Sequence, residues 1–178
     1  CFDANVQKET NRRLVDHTAE FNLAYTEHAR RNLLAEGLHP RRILVTGSPM
    51  TEVLEAQAAD IAGSTALEDL GVVAGEYFLV SAHREENVDS PDRLRSLLES
   101  LNAVVGEWGL PVLVSTHPRT RKRLENVPDV SVSDLVHFHE PFGFLDYNRL
   151  QTGARCVLSD SGTIAEESTI LGFPAVTL

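Results

Sequence analysis

The strongest constraint on this chain is an alternation. Short β-rich runs take turns with helix-patterned segments of about ten to fifteen residues. Parallel strands need a crossover between them, usually a helix, so this rhythm specifies βα units and a parallel sheet. The strand runs are 21–25, 43–46, 77–81, 111–115, 135–138, 155–159 and 174–178. Helical patterns cover 9–20 and 27–36, the second stopped by Gly37. A third runs from Pro49, suited to a first turn, to about residue 59. Over 92–105, Leu94, Leu97, Leu98, Leu101 and Val104 fall on one stripe. Two more helices are expected after Phe144 and after Gly162.

The expected fold class is therefore α/β, with a doubly wound, Rossmann-like domain. A boundary near Gly47-Ser48-Pro49 divides residues 1–48, the closing part of an earlier domain, from 49–178. The second stretch holds five strands, most of one doubly wound domain. Cys1-Phe2-Asp3 lacks an initiator Met and a signal-peptide pattern. At the other end, Phe173-Pro174-Ala175-Val176-Thr177-Leu178 reads as a strand still being built. A piece of a longer protein, truncated at its C-terminus, is the expectation.

Composition removes several classes. Of 178 residues, 42% are hydrophobic and 24% charged, which suits a buried core and excludes a disordered chain. Apolar runs are far too short to cross a bilayer, so no membrane partner is expected. A net charge of −10 opposes general binding to nucleic acid, which depends on Lys and Arg. Cys1 and Cys156 have no metal-type spacing, and no HxH, CxxC or HExxH pattern argues for a metal. Cys156, in an apolar run, reads as a buried thiol in a reducing compartment, and the cytoplasm is the expected location.

Ligands of open α/β sheets gather beyond the carboxyl ends of the strands, so those positions carry the chemistry. After 77–81 comes Ala82-His83-Arg84-Glu85-Glu86-Asn87, where His83 and Arg84 suit a phosphate or base carbonyl. A solvated, charge-capped loop is the other reading of that cluster. After 111–115 comes Thr116-His117-Pro118-Arg119-Thr120-Arg121-Lys122-Arg123, a basic island in an acidic chain. His117 and Arg119 are its anion candidates, while Lys122 and Arg123 read as surface.

After 155–159 comes Asp160-Ser161-Gly162-Thr163-Ile164-Ala165-Glu166-Glu167. A small-residue turn opening a helix offers free N–H groups and the positive end of the helix dipole to a diphosphate. Ser161 and Thr163 add hydroxyls, and Glu166 or Glu167 suits ribose hydroxyls. A Ser-capped helix with acids placed for its dipole explains the same residues. Tyr147, within Phe142-Gly143-Phe144-Leu145-Asp146-Tyr147-Asn148, suits stacking on a base or ordinary packing. Together these loops suggest a nucleotide diphosphate site without a P-loop or GxGxxG pattern.

These stretches, with Glu9-Thr10-Asn11-Arg12, Val45-Thr46-Gly47-Ser48-Pro49 and Pro141-Phe142-Gly143, resemble the non-hydrolysing UDP-N-acetylglucosamine 2-epimerase family in order and spacing. Ser48-Pro49-Met50 and Phe144-Leu145-Asp146-Tyr147-Asn148 look like the branch acting on UDP sugars for capsule and O-antigen synthesis. That branch includes the epimerases that make UDP-N-acetyl-L-fucosamine or diacetamido-uronic acid precursors. The resemblance implies a two-domain, glycosyltransferase-B-like fold with an interdomain active site, and a homodimer of the whole protein. It implies C2 inversion by elimination and re-addition of UDP, with no redox cofactor or metal. By position, His83, Tyr147, Ser161, Gly162 and Glu167 would hold UDP, Glu167 at the ribose and Tyr147 near the uracil.

One position departs from the family. Where it usually carries Pro-Glu-Glu, this chain has Gln7-Lys8-Glu9, so Lys8 occupies the place of a catalytic acid/base candidate. With an ordinary pKa of about 10.4, a Lys does not simply inherit that proton transfer. Either Glu9 substitutes, or a depressed Lys8 serves, or the chain is inactive. Inactivity of the chain alone is expected, because the other carboxylates would precede Cys1. A glycosyltransferase of the same fold and a non-catalytic UDP-sugar-binding relic are the alternatives.

Overall fold

The computed structural model of the protein describes residues 7–82, 91–116 and 131–178. The chain divides into two compact units, Cys1–Glu52 and Val53–Leu178.

In the first unit, α1 (Gln7–Thr18) leads to β1 (Asn22–Ala24), α2 (Glu27–Ala35) and β2 (Ile43–Val45). Thr26 caps α2 by accepting from the Ala29 N–H at 3.1 Å, which satisfies one of the helix's free donors. The crossover makes β1 and β2 parallel, with Asn22, Leu23 and Ala24 paired to Ile43, Leu44 and Val45. Ala24, Leu33, Leu38 and Ile43 form the core beneath the helix.

The division between units falls within α3 (Met50–Ala56). The single helix expected over 49–59 is two: α3 ends at Ala56, and α4 (Ala58–Ala62) restarts after Gln57, whose ψ of 4° leaves the helical range. Pro49 stands just ahead of α3, not in its first turn. The four-residue α5 (Ala66–Asp69) was not expected, because one turn is too short to carry a periodicity. Its Ala66 and Leu67 are buried in the core.

The second unit then builds a five-stranded parallel sheet. Its elements in chain order are β3 (Phe78–Ser81), α6 (Pro91–Trp108), β4 (Val112–Ser115) and β5 (Val136–His139). They continue with α7 (Phe144–Gly153), β6 (Cys156–Ser159), α8 (Ile164–Leu171) and β7 (Ala175–Thr177). The strand order is β5-β4-β3-β6-β7, every pair parallel. β3 and β4 are buried at every residue, as strands covered on both faces must be.

Alternation along the strands feeds two cores. Tyr77, Leu79, Leu113 and Val157 pack with Leu150 of α7 and Ile164 of α8. Phe78, Val80, Val112, Val114 and Val136 pack against Leu98, Leu101 and Val105 of α6. Each fully buried leucine contributes about 1.5–3 kcal/mol of transfer free energy. Cys156, expected to be buried, is only partly so; it lies on the α6 face of β6 at the margin of that core. Burial still pushes its thiol above the ordinary range.

Gly153 ends α7 where Tyr77 comes closest. A Cβ there would stand 2.8 Å from the Tyr77 hydroxyl, which itself donates to the Leu150 carbonyl at 2.5 Å. Gly172 ends α8 at φ 76°, a left-handed conformation that favours glycine, and turns the chain into β7. Among the described residues, no helix is long and apolar enough to cross a membrane.

Candidate functional site

β3, the first strand of its unit, lies in the middle of the sheet. The chain moves one way through α6 to β4 and the other way through α8 to β7. The reversal leaves a crevice between the carboxyl ends of β3 and β6, the position at which open α/β sheets take ligands. The strand register puts polar residues in one row along that edge: His139, Ser115, Ser81, Ser159 and Thr177. Ser81, Ser115 and Ser159 are buried, so this row closes the core beneath the crevice.

From β6 the chain passes through Asp160, whose N–H donates to the Ser81 carbonyl at 3.1 Å. The next residues form a connected turn. Ser161 N–H donates to Ser159 Oγ at 3.0 Å, and Thr163 N–H donates to Ser161 Oγ at 3.3 Å. The hydroxyls of Ser161 and Thr163 lie 2.9 Å apart. Ser161 and Gly162 are exposed, and α8 begins two residues after Gly162. Thr163 makes no side-chain cap bond, because its hydroxyl is turned to Glu167 Oε1 at 2.6 Å. The other oxygen, Oε2, accepts from Gln151 Nε2 of α7 at 2.8 Å. One carboxylate thus joins the turn, its own helix and the neighbouring helix.

Tyr147 of α7 completes the group. Its ring packs against the core, and the side chains of Ser81 and Ser159 act on its phenol as nearby polar groups. Burial pushes that phenol above its ordinary range; Ser81 opposes the shift, and the negative charge of Glu167 adds to it. The phenol is therefore neutral and serves as a fixed polar contact at the switch point.

The structure thus brings Tyr147, Ser161, Gly162, Thr163 and Glu167 to one end of β6. His83, Arg84, His117 and Arg119 lie outside the described residues, as does the side chain of Lys8. Glu9 stands in the first unit on α1. Arg12 binds it at 3.0 and 2.9 Å and Arg13 at 2.9 Å, while Arg12 also pairs with Asp16 and reaches Glu36 at 2.5 Å. Hydrogen bonds from Arg12, then Arg13, pull the Glu9 pKa down to about 2. Such a carboxylate is ionised throughout the neutral range and is a weak base.

Ser81, Ser159 and Gln151 were not singled out from the sequence. Signals for them existed: a Ser ends both central strands, and Gln151 occupies the apolar stripe of α7 beside Leu150 and Ala154. Among the described residues, no cluster of His, Cys, Asp or Glu is arranged to hold a metal.

Known proteins match the chain throughout. A family described as UDP-N-acetylglucosamine 2-epimerase matches residues 1–178. The UDP-N-acetylglucosamine 2-epimerase of Methanocaldococcus jannaschii is 36% identical over 184 residues, covering 99% of this chain and 50% of that protein. A UDP-2,3-diacetamido-2,3-dideoxy-D-glucuronate 2-epimerase of Pseudomonas aeruginosa is 30% identical over 99% of this chain and 48% of its own length. A crystal structure of Methanocaldococcus jannaschii UDP-GlcNAc 2-epimerase in complex with UDP-GlcNAc and UDP superposes with a TM-score of 0.89 at 32% identity. That superposition covers 99% of this chain and 50% of the other. The chain spans about half the length of these relatives. With the doubly wound sheet, the polar turn at its switch point and a family match from end to end, this chain belongs to the UDP-N-acetylglucosamine 2-epimerase family.

Proposed function

We propose that the chain is the nucleotide-binding part of a UDP-sugar 2-epimerase, with residues 49–178 holding UDP and 1–48 closing the partner domain. The turn from Asp160 to Thr163, set at the switch point and tied to Glu167, carries the reading. Free N–H groups and the dipole at the start of α8 favour the diphosphate. Ser161, Gly162 and Thr163 let it approach, Glu167 accepts from the ribose hydroxyls, and Tyr147 forms the floor near the uracil. His83, Arg84, His117 and Arg119 supply donors and positive charge from the neighbouring strand ends. The relative solved with UDP-GlcNAc and UDP supports this class of ligand.

In the reaction, the C2 proton is removed and the C1–O bond to UDP breaks, leaving a glycal and UDP. A phosphate oxygen of UDP then re-adds at C1, and C2 takes a proton on the opposite face. UDP is thus both leaving group and nucleophile, so a site that keeps hold of it through both steps is the central requirement. Glu9, locked between Arg12 and Arg13, is poorly suited to move the proton. That geometry, with Lys8 beside it, favours a second reading: a chain that binds a UDP sugar without turning it over. We assign the protein to the cytoplasm and the whole protein to a homodimer, in keeping with a nucleotide-sugar substrate.

NMR of UDP-N-acetylglucosamine in D2O with the longer protein tests the activity. The C2 epimer, formed without an acceptor and carrying deuterium at C2, is the expected product. Transfer that depends on an acceptor would instead identify a glycosyltransferase. UDP binding with no exchange, unchanged by Lys8→Glu, would identify the binding relic.

A further inference from the structure

We infer that Gln151 is a positioning residue that orients Glu167 toward the ribose of the bound nucleotide, an inference that rests on the proposed nucleotide site. The side chain of Gln151 is fully buried on the core-facing stripe of α7, between Leu150 and Ala154. Its Nε2 donates to Glu167 Oε2 at 2.8 Å, and its Oε1 finds no hydrogen-bond partner among the described residues. A buried amide with an unsatisfied oxygen costs free energy, and an apolar side chain of similar volume would avoid that cost. Stability therefore does not account for glutamine here. The bond to Glu167 does.

A carboxylate oxygen only accepts, so the amide must turn its nitrogen toward Glu167. Thr163 Oγ1 donates to the other oxygen at 2.6 Å. Two neutral donors, one from the turn ahead of α8 and one from α7, fix the plane of the carboxylate and leave its charge uncancelled. Each oxygen keeps acceptor capacity for a further hydrogen bond. An arginine or lysine in place of Gln151 would fix the group equally well but neutralise it. A pair of ribose hydroxyls needs what remains: an anionic acceptor held in one orientation. Thr163 belongs to the turn that receives the diphosphate, so the same carboxylate couples the two ends of the nucleotide.

The test is calorimetric titration of the full chain with UDP and with 2′,3′-dideoxy-UDP, which lacks both ribose hydroxyls. Gln151→Leu should weaken UDP about five- to tenfold and leave dideoxy-UDP within about twofold. Gln151→Met, which keeps length and volume without a donor, should behave the same way and guards against poor folding of the leucine variant. Equal loss of both nucleotides would mark a structural role and overturn the inference. Unchanged UDP affinity in both variants, alongside a Glu167→Gln variant that no longer prefers UDP, would overturn Gln151 alone. A Glu167→Gln variant that keeps the full preference would overturn the ribose assignment itself, and the inference with it.

Discussion

Ser81 and Ser159 are register partners at the carboxyl ends of β3 and β6, and both are polar neighbours that lower the pKa of the Tyr147 phenol against its burial. Ser81 is 6% exposed and Ser159 is inaccessible, so the contact lies under the crevice and out of water. Strand β3 is thereby joined to the consecutive pair α7 and β6, more than sixty residues later, at the point where the sheet reverses direction. The turn that follows Ser159 inherits its position from that anchor, since Ser161 N–H binds the same serine oxygen.

Tyr147→Phe removes the shared phenol and leaves the ring. We expect a loss of about 1 kcal/mol in urea denaturation, the usual net scale for removing a buried polar group from its polar neighbours. Stability equal to wild type would show that the serines do not depend on the phenol.

Ser161→Ala should weaken UDP by about 1.5–3 kcal/mol in calorimetry, as for a hydrogen bond to a charged group. Because Ser161 is exposed, folding stability should change by less than about 0.5 kcal/mol. Unaltered UDP affinity would remove the hydroxyl from the site.

Gly153→Ala should destabilise the second unit by about 1–3 kcal/mol. The new methyl would press on the Tyr77 hydroxyl at 2.8 Å and on Leu67 at 3.3 Å, both in a packed core. Thermal denaturation reads the effect, and Gly153→Ala combined with Tyr77→Phe should recover part of the loss.

Glu9 offers a pH test in the first unit. Its pKa is pulled down to about 2 in the folded protein from an ordinary 4.5, so the unfolded chain takes up its proton first as pH falls. The stabilisation from its arginine pairs is complete above about 4.5 and fades as pH drops toward 2. Denaturant titrations of wild type and Glu9→Gln should differ most above that range and converge at the acid end. Curves separated by a constant amount at every pH would mean that the charge of Glu9 does not matter.

The seven strands among the described residues were legible because their physics is local. Phe78-Leu79-Val80 and Val112-Leu113-Val114 are unbroken apolar runs, which only a strand covered on both faces can bury. The stripe on α6 was equally plain, with Leu94, Leu98 and Leu101 all buried. The break at Gln57 and the single turn 66–69 were not legible, because segments that short are decided by what they pack against. The turn 160–163 could be read as a ligand loop from its small residues ahead of a helix, yet its hydroxyl chain to Glu167 could not.

What the sequence by itself determined is the alternation of elements, the polar character of the strand ends and the small-residue turn before α8. These follow from residue periodicity and backbone preference, which act over a few positions. Only the tertiary structure decided that β3 lies at the centre, that Ser81 faces Ser159, and that a glutamine on the apolar side of α7 reaches Glu167. Arg12 and Arg13 meet Glu9 by spacing along α1 itself, whereas only the fold brings Glu36 to Arg12. Strand order and side-chain partners depend on contacts between residues distant along the chain, where packing and hydrogen bonding choose among arrangements that local pattern leaves equal.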